Sequence, residues 1–179
     1  ISPTAFLVDR CENVYVSGWG GGLDKNIAYT ANSGTTGLVA KKAPDGSQPL
    51  KSSTDGADFY FFVLARFAAS QLYGGFFGQN NGNTADHVDG GTSRFDKNGI
   101  IYQAICANCG GGATFPTTAG AAYTANGALV PINGYGCNLA SLKIAFNLAG
   151  LASGLRSSIN GVIRDTVGCL PLKAEFMDT

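Results

Sequence analysis

Short apolar runs set between clusters of Gly, Asn, Ser and Thr recur along the whole chain. Residues 13–18 (NVYVSG) carry the first strand signal, which the glycines at 20–22 end. A polar, glycine-containing stretch follows over 23–55. It holds Pro44-Asp45-Gly46, a turn in which Pro presets φ and Gly tolerates positive φ. Residues 58–65 (DFYFFVLA) are the most apolar run; their length and aromatic content predict a strand buried on both faces. Residues 71–78 predict the next strand of the same hairpin, and 79–85 a loop. The pattern then returns. A tight turn is predicted at 96–99, a strand over 100–105, a Pro-punctuated loop over 114–118 and a further strand over 138–146.

The two halves read as one unit written twice. Residues 9–15 (DRCENVY) line up with 96–102 (DKNGIIY), and 58–64 with 138–144. Each unit runs turn, strand, glycine-rich loop, long connection, strand. Internal repetition of this kind predicts a blade, array or solenoid in which neighbouring units bury each other's faces. After Ser153 the character changes. Residues 156–165 read as a linker, and 168–176 alternate apolar and polar positions after a Pro, as the opening strand of a new β-domain.

Composition narrows the function classes. The 26 glycines, with abundant Asn, Ser and Thr, predict frequent turns and an all-β fold. Charged residues are only 13% of the chain and the formal net charge is zero, which excludes the cationic surplus that nucleic-acid binding needs. No apolar run approaches the ~20 residues of a membrane-spanning helix. The absence of an initiator Met and of a signal-peptide pattern predicts an internal segment of something longer. There are five cysteines. Cys106 and Cys109 form a CxxC, but three glycines follow and His87 is the only histidine. Structural disulfides or inert thiols are therefore favoured over a metal or redox site, with Cys106, Cys109, Cys11 and Cys137 as the disulfide candidates.

The stretch 86–96 (DHVDGGTSRFD), then Gly99-Ile100-Ile101-Tyr102, then 115–121 (FPTTAGA), resembles the SBBP-type β-propeller repeat. Ala119 stands where that repeat usually has Pro, and Asn138 where it usually has Asp. Gly168-Cys169-Leu170-Pro171-Leu172 resembles the start of a PKD-type immunoglobulin-like domain. The combination looks like large surface proteins of Bacteroidetes of the gliding-motility kind, exported by type IX secretion. The resemblance implies a partial β-propeller over 1–152, in units of about 5–78 and 79–152 with four-stranded antiparallel blades. A linker over 153–167 and a truncated PKD-type start over 168–179 would follow. It also implies a secreted, cell-surface location. The unit spacing exceeds the ~40–50 residues of a usual blade, and two units cannot close a ring of about 4–8 blades.

Asp86, His87 and Asp89, with Ser93 nearby, mimic parts of a hydrolase triad, but no G-x-S-x-G elbow presents a nucleophile. Asp86, Asp89 and Asp96 supply hard oxygen ligands for a structural calcium, yet the alternating ligand pattern of an EF-hand is absent and an Asx-type turn is the favoured reading. No other cofactor is implied. Trp19 and Tyr102 are candidate platforms for stacking a carbohydrate, against the alternative that such aromatics pack between blades. Three functions follow. The first is a non-catalytic structural or adhesive segment, partnered by the rest of a surface protein, other chains or carbohydrate. The second is a subunit or cargo of a surface filament or secretion assembly completed by partner strands. The third, and least favoured, is a hydrolase using the Asp86/His87/Asp89 cluster.

Overall fold

The computed structural model describes residues 1–21, 34–80, 86–88, 93–108, 115–121 and 138–146, together with three short strands within 157–176. The described chain is all-β and antiparallel. Strands β1 (Ser2–Val8), β2 (Val14–Trp19), β3 (Phe59–Leu64) and β4 (Gln71–Phe77) form one sheet in chain order. Strands β5 (Ser93–Phe95), β6 (Ile100–Ala107) and β7 (Asn138–Ala145) form a second, also in chain order. A single 3-10 turn at Arg66–Ala68 is the only helical segment among the described residues, and none is long and apolar enough to cross a membrane.

Strands β8 (Ser157–Ile159), β9 (Val162–Ile163) and β10 (Ala174–Phe176) form a third sheet in the order β10-β8-β9. Two readings of the sequence are corrected here. The linker expected over 153–167 contains β8 and β9, and the tail strand pairs back onto β8. The missed signal is Asn160-Gly161, a dipeptide suited to two-residue hairpin turns, set between two apolar residues. Strand β1 was also not expected; Pro3, Thr4 and Ala5 interrupt its apolar alternation, and a bulge falls at that point.

The first two sheets repeat each other position by position. Phe6 pairs with Val16 and Val8 with Val14; 87 positions further on (Asp9 to Asp96), Ser93 pairs with Gln103 and Phe95 with Ile101. Val14 pairs with Leu64 and Trp19 with Phe59, just as Ile101 pairs with Ile144 and Cys106 with Leu139. The hairpin turns match to the atom. The Asp9 carboxylate accepts hydrogen bonds from the backbone of Cys11 (2.8 Å) and Asn13 (2.9 Å); that of Asp96 accepts them from Asn98 (2.8 Å) and Ile100 (3.0 Å). The fourth turn residue is left-handed in both, Glu12 at φ 61° and Gly99 at φ 76°. An aspartate that ties its own turn favours this conformation whatever follows it.

The sheets stack face to face, and their facing residues show the sense of the stacking. On the first sheet Tyr15, Ser17, Trp19, Phe59, Phe61 and Val63 point into the interface; on the second Phe95, Ile101, Gln103, Ile105, Leu142 and Ile144 do. Tyr15 and Tyr102 are equivalent by register, yet Tyr15 is 1% exposed and Tyr102 37%. The front of the first sheet therefore covers the back of the second, as in a stack of like units turned the same way. Phe146, just past β7, lies at the centre, with its ring 6.4 Å from Tyr15, 6.0 Å from Phe61 and 5.2 Å from Tyr73. Aromatic pairs at these separations add to the area they bury. The free edge of β4 is capped by the preceding connection, where Lys41 bridges to Gly74 and Lys51 to Phe76, so its backbone groups do not invite another strand.

The two aspartate turns differ in one respect. Asp9 also accepts from Asn13 Nδ2 (3.0 Å) and the Tyr15 hydroxyl (3.1 Å). Burial, and then the Asp9 carboxylate, push the Tyr15 hydroxyl well above its usual range. We expect Asp9→Ala to lower stability in urea denaturation by about 2–3 kcal/mol and Asp96→Ala by about 1 kcal/mol, since more bonds to a partly buried charge are lost at the first. Equal losses would show that the Tyr15 bond contributes nothing.

Candidate functional site

The segment 86–88 lies against β6. His87 N–H donates to Cys106 O (3.0 Å), and Cys106 N–H donates to His87 O (2.8 Å). This continues the edge on which β5 pairs, so Ser93, opposite Gln103, and His87, opposite Cys106, sit three residues apart along β6. At the rise of a strand that is about 10 Å, too far for a nucleophile and its base. The Ser93 hydroxyl is held instead by Gln103 Nε2 (2.6 Å) and lies 3.3 Å from Thr4 Oγ1.

Asp86 is fully buried and both of its carboxylate oxygens are committed. One accepts from the Gln79 N–H (2.8 Å), just beyond β4, and the other from the Asn108 N–H (2.9 Å), just beyond β6. The side chain thus clamps the ends of the two sheets together. Beside it lies a second buried carboxylate, Asp58, which pairs with Lys51 Nζ (2.7 Å) and accepts from Thr54 Oγ1 (2.6 Å). Gly78 separates the two. Its φ is 149°, which strains any side chain, and an added Cβ would crowd both carboxylates, at 3.0 Å from Asp58 Oδ1 and 3.2 Å from Asp86 Oδ2. Burial pushes the Asp86 carboxyl up to about 6. The N–H donors of Gln79 and Asn108 pull it down, the Asp58 carboxylate adds to the rise, and His87 opposes it.

The sequence candidates distribute as follows. Asp86 and His87 are adjacent and buried, with the His87 ring 5.5 Å from Trp19. Asp96 ties its hairpin turn, and Asp89 lies outside the described residues. Among the described residues no group of three or more His, Cys, Asp or Glu side chains is placed to hold a metal. Trp19 is packed at 5% exposure, so its indole is closed to a stacking ligand. Tyr102 is open, with Lys143 Nζ 5.7 Å from its ring centre. Cys11 is disulfide-bonded, and Cys106 lies half-buried on β6. Cys109 and Cys137 lie outside the described residues. Sequence reasoning missed Asp58, Lys51 and Thr54. The available signal was an aspartate at the entrance of a strand that is otherwise wholly apolar, where a charge must find a partner.

We expect Asp86→Ala to strand two buried N–H donors and cost about 2–4 kcal/mol in thermal or urea unfolding. The pH dependence has a definite sign. The folded chain protonates Asp86 near pH 6 and the unfolded chain near 3.8. The native protein's stability relative to Asp86→Asn should therefore rise as pH falls from 7 to 4.5, by about 2 kcal/mol. A difference that stays flat across that range would refute the buried, raised carboxyl. No protein-family model matches the chain, and no curated protein or solved structure matches it either.

Proposed function

We propose that the chain is a non-catalytic structural and adhesive segment of a large secreted bacterial surface protein, in which the first two sheets are consecutive blades of a β-propeller of the SBBP type. The observation that carries this reading is the stacking of two register-matched meanders in the same sense, front of one on back of the next. Blades packed around a ring have this relation, and such scaffolds present loops for binding. The low charge and the abundance of Gly and Asn fit a surface kept soluble by neutral polar groups. The three-stranded sheet of β8, β9 and β10 fits the opening of a PKD-type domain. With Trp19 packed inside, Tyr102 is the residue left for contact with carbohydrate.

The hydrolase reading would need a nucleophile within reach of His87, and Ser93 lies about 10 Å from it along β6. Completion by partner strands would not use β4, whose edge Lys41 and Lys51 occupy, but the edge strand β7 of the three-stranded second sheet keeps it as the second reading. The test sets the purified chain against panels of esterase and glycosidase substrates and against immobilised polysaccharides. Retention on a polysaccharide that weakens in Tyr102→Ala, with no turnover, is the expected result. Turnover that disappears in His87→Ala would overturn the proposal.

A further inference from the structure

The first sheet has an outer face that the register identifies as an interface. Phe6 and Val8 on that face are 66% and 46% exposed, and Val14, Val16, Phe62 and Leu64 beside them are only half-buried. Their equivalents on the second sheet are Ser93, Phe95, Ile101, Gln103, Leu142 and Ile144. Those residues lie under the front of the first sheet. The matching open front belongs to the second sheet. Tyr102, Ala104, Cys106 and Leu139 stand there at the positions of Tyr15, Ser17, Trp19 and Phe59, and Leu139 is 82% exposed.

We infer that the outer face of the first sheet receives the outer face of the second sheet from another copy of this chain, repeating between chains the stacking found within one. This rests on reading the two sheets as equivalent units.

The internal contacts, carried across by register, give complementary pairs. Inside, Tyr15 packs on Phe95 with ring centres 5.8 Å apart; outside, Tyr102 meets Val8. Inside, Gln103 Nε2 donates to Ser17 Oγ at 2.9 Å; outside, both members change together and Ala104 meets Val16. Polar thus faces polar within the chain, and apolar faces apolar between chains. Inside, Gly99 lies under the Tyr15 ring, 3.1 Å from an added Cβ to Cε1. Its equivalent Glu12 therefore comes under Tyr102, beside which Lys143 Nζ sits 5.7 Å from the ring centre. The Glu12 carboxylate, which pairs with Arg66 Nε (2.7 Å) in its own chain, there also meets the Lys143 ammonium, where the internal interface has glycine and Val63. The contact joins two different patches, so it is heterologous and propagates into a ring or a filament. Roughly two to four copies would close a ring of 4–8 blades.

The test uses the full chain with the photoreactive residue benzoylphenylalanine in place of Val16, irradiated in a mixture of ordinary and 15N-labelled protein. Adducts that join the two isotopic forms and map to residues 102–106 are expected, from a native particle whose mass is a multiple of 18.4 kDa. Lys143→Glu should weaken association roughly fivefold, and Glu12→Lys in the same chain should restore it. Both positions are exposed; Glu12→Lys also removes the surface pair of Glu12 with Arg66 Nε (2.7 Å), so Arg66→Ala is the control for that loss. A native mass of one chain at 100 μM or above, or adducts confined to other positions, overturns the inference. Proton contacts between the Tyr15 and Phe95 rings within one chain, measured by NMR, report separately on the internal stacking. Their absence sinks the reading of equivalent units, whereas their presence without adducts sinks only the assembly between copies.

Discussion

Strand β3 has no polar side. Phe59, Phe61 and Val63 point one way and Tyr60, Phe62 and Leu64 the other. Because a strand's side chains alternate, six apolar residues in a row commit a sheet to cover on both faces. The second sheet supplies one cover, through Phe146 and the inward residues of β6 and β7. The connection before β3 supplies part of the other. The Tyr60 hydroxyl donates to Val39 O (2.7 Å), and the Tyr60 ring lies 5.0 Å from Phe76. The remainder of that face, from Phe62 across to Phe6, is what a two-unit stack leaves open. Architecture and exposed surface thus have the same origin in six consecutive residues.

Apolar contact alone does not fix how far one sheet slides over another, since dispersion and burial are nearly indifferent to small displacements of flat faces. The polar groups inside the interface supply that constraint. Gln103 Nε2 lies within hydrogen-bonding distance of Ser17, Ser93 and Thr4, which belong to three strands of two sheets. Asp86 holds backbone donors that follow β4 and β6. Shifting the stack by one residue would bury these groups without partners, at a cost of order 1–3 kcal/mol each. Gln103 marks one end of this constraint and Asp86 the other, so the sheets are pinned in translation and in rotation.

The two matching turns were legible in the sequence because their pattern survives even where identity does not. Residues 9–15 and 96–102 share only Asp and Tyr at matching ends, yet the turn they encode is one geometry, since Asp9 and Asp96 each bind their own turn locally. The strands of 58–64 and 138–144 were legible as apolar runs. The buried carboxylate pair was not. Asp86 reads as part of a triad when its neighbours in sequence are His87, Asp89 and Ser93, but its partners in space are the backbones of Gln79 and Asn108, and a backbone donor leaves no mark on residue type. The tail hairpin was missed for a different reason: β8 and β9 are three and two residues long, too short for periodicity to register.

A raised carboxyl in a buried cluster can mark a catalytic site or a structural network, and the geometry around Asp86 gives the shift its cause. A general base needs a lone pair aimed at a substrate, and a general acid needs a proton that water or substrate can reach. At Asp86 each oxygen accepts a backbone N–H, and the side chain is fully buried. Its rise comes first from burial, which is what a clamp between two packed sheets entails, and Asp58 adds to it from across Gly78. Asp58 stays compensated because Lys51 reaches it from the segment that caps β4. The same lysine thus closes a sheet edge through its backbone and balances a buried charge through its side chain. The perturbed group sits where the ends of the two sheets meet, and its bonds to Gln79 and Asn108 tie them together there.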